Sequence, residues 1–169
     1  MRRTLVAGLF LATVAASGTA QAGWQKTKWG MTPEQVEAIY GKSLRPLSSD
    51  DQESAKHLSD THFPYRMSYA TEDFHFDVRF AFDPSDRLAA VYLFDTPPSC
   101  APLTKALLAK YGNPAVDRSN DVGADYTWLD RASSNTVHLQ TTEAATTHLH
   151  EAHDVCMLVY TPLASGKGL

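Results

Sequence analysis

Apolar and polar residues alternate most regularly between Phe74 and Phe82. Phe74, Phe76, Val78, Phe80 and Phe82 fall on one side of an extended chain, with His75, Asp77 and Arg79 on the other. A period of two predicts a strand that buries one face. Asp83-Pro84-Ser85-Asp86 has the composition of a turn with proline at its second position, and Leu88 to Phe94 returns as the partner strand. Arg66 to Ala70 is a shorter strand candidate upstream, and Pro97-Pro98 closes the unit.

A helical pattern precedes these strands. Thr32 is placed as N-cap, Pro33 as N1 and Gln35 as N3, so Thr-x-x-Gln reads as a capping box. Met31 and Val36 form the matching hydrophobic staple, and Gly41 supplies the residue that ends the helix. Residues 23–31, with Trp24 and Trp29, read as an extended lead-in. The polar stretch 42–62 is either a solvated connection or a short helix over 50–58 capped by Ser49 with Gln52.

From Ser99 the pattern starts again. Ser99 is placed as cap of a helix to Tyr111 with Leu103, Ala106, Leu107 and Tyr111 on one face; Gly112 ends it and Pro114 blocks its continuation. Asp125–Leu129, Thr136–Thr142 and Val155–Thr161 follow as strands, the last a nearly continuous apolar run typical of a central strand. Ile39-Tyr40-Gly41 and Lys110-Tyr111-Gly112 end the two helices alike. The expected fold is therefore α+β: two tandem helix-plus-three-stranded-meander units, about 29–96 and 97–163, forming one antiparallel sheet of about six strands with helices on one face. A single irregular meander without duplication is the alternative.

The first 22 residues do not share these patterns. Arg2 and Arg3 precede an apolar stretch, Leu5 to Ala16, too short to span a bilayer, and Ala20-Gln21-Ala22 has the small-x-small form of a cleavage site. A signal peptide over 1–22 and a single domain over 23–169 are expected, with a periplasmic or secreted destination. The whole chain of 169 residues has 15 basic and 19 acidic residues; without Arg2 and Arg3 the formal charge is −6. Such a surface offers no footprint for nucleic acid or anionic lipid. Cys100 and Cys156 are the only cysteines, and in an oxidising compartment an even count predicts a disulfide, which by chain entropy is worth ~4 kcal/mol.

An apparent signal peptide, then Trp29-Gly30-Met31-Thr32-Pro33-Glu34-Gln35-Val36, then a recurring α-β-β-β layout resembles small exported bacterial proteins of the β-lactamase-inhibitor-protein-like fold. A small outer-membrane-assembly lipoprotein with one such unit is similar in shape. The resemblance covers the layout of residues 24–163 but a local motif only over 29–41. It implies a binding role. The cysteine that would carry a lipid is missing, so no membrane anchor is expected.

Candidate chemistry is sparse. His148, His150 and His153, with Glu151 and Asp154, form the densest group of metal-ligating side chains, and such imidazoles suit zinc or copper; a solvated loop is the competing reading. Trp29, Tyr65, Tyr69, Tyr126 and Trp128 are candidate binding anchors on an open sheet face, Trp29 and Trp128 being equally readable as core. His75, Asp77 and Arg79 read as a cross-linked strand surface. Serine-nucleophile, Walker and dinucleotide patterns are absent from the sequence. The expectation is a non-enzymatic binding or adaptor protein without a cofactor, engaging a protein or envelope component through its sheet face and loops. A periplasmic metal-binding protein is the alternative.

Overall fold

The computed structural model describes residues 22–55, 60–97, 99–120, 123–142 and 154–164. In chain order the elements are α1 (Pro33–Tyr40), a single 3-10 turn (Gly41–Ser43), β1 (Arg45–Pro46), α2 (Ser49–Ala55), β2 (His62–Ala70), β3 (His75–Phe82) and β4 (Leu88–Asp95). Then come α3 (Ala101–Tyr111), β5 (Val116–Asp117), β6 (Gly123–Asp130), β7 (Asn135–Thr142) and β8 (Val155–Pro162). The strands form one antiparallel sheet in the order β1-β2-β3-β4-β8-β7-β6-β5. Each half is a helix, a two-residue edge strand and a three-stranded meander, and the halves join where β4 pairs with β8. The sheet thus has eight strands where the sequence pattern anticipates about six. The added pair, β1 and β5, are too short for any period to register.

The ends of α1 follow the local chemistry. Gln35 N–H donates to Thr32 Oγ1 at 3.4 Å, and Thr32 N–H donates to the Gln35 side chain at 3.0 Å. Gly41 and Gly112 end the two long helices at φ +49° and +74°, a region that glycine enters at little cost. α3 starts one residue later than Ser99 as cap would require: Cys100 is its N-cap and makes no side-chain cap bond. Ser99 Oγ accepts instead from Ala101 N–H, and Asp154 accepts from Cys100 N–H. The apolar face of α3 is narrower than its periodicity implies, with Leu103 and Leu107 buried and Ala106 exposed. α2 is capped by Ser48 rather than Ser49, because Ser48 Oγ accepts from Asp51 N–H at 3.2 Å.

Strand alternation assigns the two faces of the sheet. Phe76, Val78, Phe80, Phe82, Leu88, Val91, Leu93, Trp128, Val137, Leu139, Cys156 and Leu158 form the main core with Val36 of α1 and with Leu103 and Leu107 of α3. Leu47, Phe63, Ala81, Ala90, Tyr92 and Val159 form a smaller cluster on the reverse face, at the end where α2 packs against β2. A disulfide joins Cys100 at the start of α3 to Cys156 in β8, with 5.8 Å between the α-carbons. It pins α3 to the sheet centre. Gly123 sits where β6 meets β7 so closely that a Cβ would lie 2.1 Å from the Thr141 carbonyl oxygen.

Residues 143–153 connect β7 to β8 and lie outside the described residues, as do residues 1–21. The candidate metal ligands His148, His150 and His153 and nearly all of the expected signal peptide therefore fall outside them. Among the described residues, no helix is long and apolar enough to cross a membrane.

Candidate functional site

The aromatic residues expected on the open face lie on the other one. Register pairs Tyr65 with Phe80, Tyr69 with Phe76, Tyr126 with Leu139 and Trp128 with Val137, and each partner belongs to the main core under α1 and α3. Trp128 is only 2 % exposed and donates its indole N–H to the Gly112 carbonyl at 2.9 Å. Trp29 packs against the same core and donates to Asn135 Oδ1 at 2.9 Å. Tyr65 donates to Glu37 at 3.3 Å, Tyr69 accepts from Gln25 at 3.0 Å, and Tyr126 accepts from Ser119 at 3.0 Å. The two indole N–H groups are spent in part-buried bonds, whereas the three tyrosine hydroxyls bond at exposed positions on the rim of the helix-bearing face. The expected set of anchors shared by one open face is thereby corrected. The physical reason is parity: all four strand residues have the same alternation phase as the buried core positions.

The face away from α1 and α3 carries a different set. In the first half of the sheet it holds the strand surface expected from His75, Asp77 and Arg79. Arg66 and Arg79 are directly opposite one another on β2 and β3, a like-charge pair. Asp77 resolves it by accepting from Arg66 Nε through one oxygen and from Arg79 Nε through the other, both at 3.0 Å. Asp51 of α2 adds a second carboxylate at 3.6 Å from Arg66 and 3.9 Å from Arg79. The hydroxyl of Ser48, 2.7 Å away, is the main cause holding the Asp51 carboxyl below its ordinary range, with the two guanidinium groups acting in the same direction. The Arg79 guanidinium also stacks over the Phe94 ring at 4.7 Å.

The second half of this face is different in character. By alternation it presents Asp125, Thr127 and Leu129 on β6, Thr136, His138 and Gln140 on β7, and Val155, Met157, Val159 and Thr161 on β8. Met157 pairs with Phe94 and Val159 with Tyr92, so an apolar strip runs across the junction of the halves. Leu129 and Val155 are 43 % and 45 % exposed, while Phe94 and Met157 are half-buried. One polar contact marks the strip's border: His138 Nε2 lies 2.7 Å from Asp125 Oδ1. α2 lies over the first half, and among the described residues no helix lies over the second. Tyr92, Phe94 and Met157 were missed as candidates, although a signal for them exists: Leu88–Phe94 and Val155–Thr161 carry apolar residues at both parities, which means that both faces of those strands are apolar.

On the helix-bearing face, a polar cleft of about 280 Å³ lies between the lead-in and the end of α3. Trp24, Lys110, Tyr111, Asp130, Asn135 and Tyr160 help to line it. Burial raises the Tyr160 hydroxyl well above the ordinary tyrosine range, with the hydrogen-bonded Tyr111 and nearby Asp130 adding to the effect. Burial also raises Tyr40, whose hydroxyl finds no well-formed hydrogen bond among the described residues.

Comparison with known proteins adds little. No protein-family model matches the chain, and no curated protein matches it. Among solved structures it is similar to a DUF4309 family protein, YjgB, from Bacillus subtilis subsp. subtilis str. 168. The identity is 13 % and the TM-score 0.36, over 75 % of this chain and 76 % of that one.

Proposed function

We propose that this protein is exported and acts as a non-enzymatic binding or adaptor protein, engaging a protein or envelope component through the second half of its open sheet face. The observation that carries this reading is the pairing of Phe94 with Met157 on the open face, with the exposed Val155 two residues along β8 and the exposed Leu129 further off at the end of β6, among threonine and glutamine side chains and the His138–Asp125 pair. Half-buried aromatic and methionine side chains bordered by polar residues have the composition of an interface centre and rim. The ion-paired first half, with both guanidinium groups held by carboxylates, supplies a rigid border to it.

Export is supported by the leader pattern of residues 1–22 and by the Cys100–Cys156 bridge, since disulfides persist in oxidising compartments. The resemblance to β-lactamase-inhibitor-protein-like proteins belongs to the same proposal. The test is capture from envelope extract by the chain from Gly23 onward, beside a Leu129→Asp, Val155→Asp double variant. Both positions are exposed, so the variant is expected to keep its thermal midpoint and lose the captured species. Equal capture by the two forms overturns the assignment of this face.

A further inference from the structure

Residues 22–31 are stitched into the fold from their first atoms. Trp29 N–H donates to the Ala22 carbonyl at 3.2 Å, and Asn135 Nδ2 donates to the Gly23 carbonyl at 2.8 Å. Trp24 and Thr27 are buried, and the Thr27 hydroxyl and N–H both donate to the Trp24 carbonyl, at 2.6 and 3.0 Å. Gly30 N–H donates to the Leu88 carbonyl at 3.0 Å, and Leu88 N–H donates to Met31 at 2.8 Å, which ties the segment to the start of β4. Gln25 is held at φ +54°, a region that a free chain seldom visits at a non-glycine residue. A Cβ at Gly23 would lie 2.0 Å from the Thr27 carbonyl oxygen, so the backbone closes on itself here. Asn135 is one of two buried polar residues among those described, and its amide clasps both Gly23 and the Trp29 indole.

The Ala22–Gly23 bond therefore lies inside a closed loop of the folded protein. A peptidase reaches a bond in exposed, mobile chain far more readily than one held in a hydrogen-bonded loop, which must first open. Here the residue before the bond accepts from Trp29, the one after it is held by Asn135, and the next is buried. We infer that the Ala22–Gly23 bond is a processing site open only before residues 22–31 dock, so that folding of the amino-terminal segment and leader removal compete. This rests on the export reading and deepens it by fixing the order of events. In the step, water adds across the peptide bond, leaving a carboxylate on Ala22 and an ammonium on Gly23. The new ammonium then belongs to the wall of the polar cleft that also holds Asp130 and the Tyr160 hydroxyl. Processing thus places its new charge among polar groups and not within the apolar core.

The test uses the full-length precursor with purified leader peptidase in detergent. One sample is diluted from denaturant under reducing conditions straight into peptidase. The other is first allowed to fold and oxidise. Amino-terminal sequencing is expected to find cleavage before Gly23 in the first, and a rate lower by on the order of a hundredfold in the second, because cleavage then waits on local opening. Equal rates overturn the inference. No cleavage before Gly23 in the unfolded sample overturns the export reading itself. Docking is read independently by trypsin on the folded chain beginning at Gly23, since Lys26 and Lys28 are exposed within the segment. Resistance at both, relieved in Trp29→Phe, is expected; rapid cutting in the unaltered chain shows an undocked segment and overturns the inference without touching export.

Discussion

At the residue scale, most of the informative side chains are polar groups whose partners are distant in sequence. Asn135 is the clearest. Its replacement by alanine strands the Trp29 indole N–H and the Gly23 carbonyl. Asn135→Ala is expected to cost about 2–3 kcal/mol, read as a lower denaturation midpoint at unchanged slope. Tyr160 gives a pH dependence. Its folded-state pKa is raised, so the stability tied to its neutral form is fully present below about pH 10, the value of an unfolded tyrosine, and is lost as pH rises beyond it. Tyr160→Phe is expected to flatten the alkaline limb of the stability profile. Asp51 works in the opposite sense. Its folded-state pKa is lowered, chiefly by Ser48, so its contribution is present above the unfolded value of about 3.9 and disappears as pH falls through the lower folded value. The partners of Asn135 and Tyr160 are not legible from the sequence, because they are brought together only when distant elements pack, whereas Ser48 lies within one helical turn of Asp51.

At the element scale, much of the structure follows from chemistry local to each segment. The capping box and proline start of α1, the glycine ends of α1 and α3, and the alternation of β3 are all written within ten residues of where they act. Loss of the Thr32 cap in Thr32→Ala is expected to cost ~1 kcal/mol, measured by thermal or urea unfolding. Boundaries shifted by one residue where a competing group was available. Ser48 lies one position ahead of Ser49 and caps α2, and at α3 the cap bonds are divided between Ser99 and Asp154, which is brought in by β8. The β2–β3 pair makes a further prediction. Asp77→Ala leaves Arg66 and Arg79 facing each other with only the more distant Asp51 between them, and is expected to destabilise by about 1–2 kcal/mol, an effect that high salt should reduce.

At the scale of the whole molecule, the Cys100–Cys156 bridge fastens α3 to the sheet centre. Cys100→Ser is expected to lower stability by ~2–4 kcal/mol and to make the thermal midpoint insensitive to reductant; an intact protein already indifferent to reductant would contradict this. The α+β class, the helix-then-meander order in each half and the burial of the Phe76-to-Phe82 face follow from the sequence alone, because a period of two or 3.6 is a local property of the chain. The tertiary structure alone decides that β8 inserts between β4 and β7, that two-residue strands extend both edges, and that α2 lies over the reverse face near β2. It also decides that Phe94 and Met157 lie on the open face, and that Tyr65, Tyr69, Tyr126 and Trp128 lie on the helix-bearing one. Alternation says which residues share a side of one strand. Which strand lies next to it, and which side a helix covers, are set by contacts between residues far apart in sequence, and no local period encodes those.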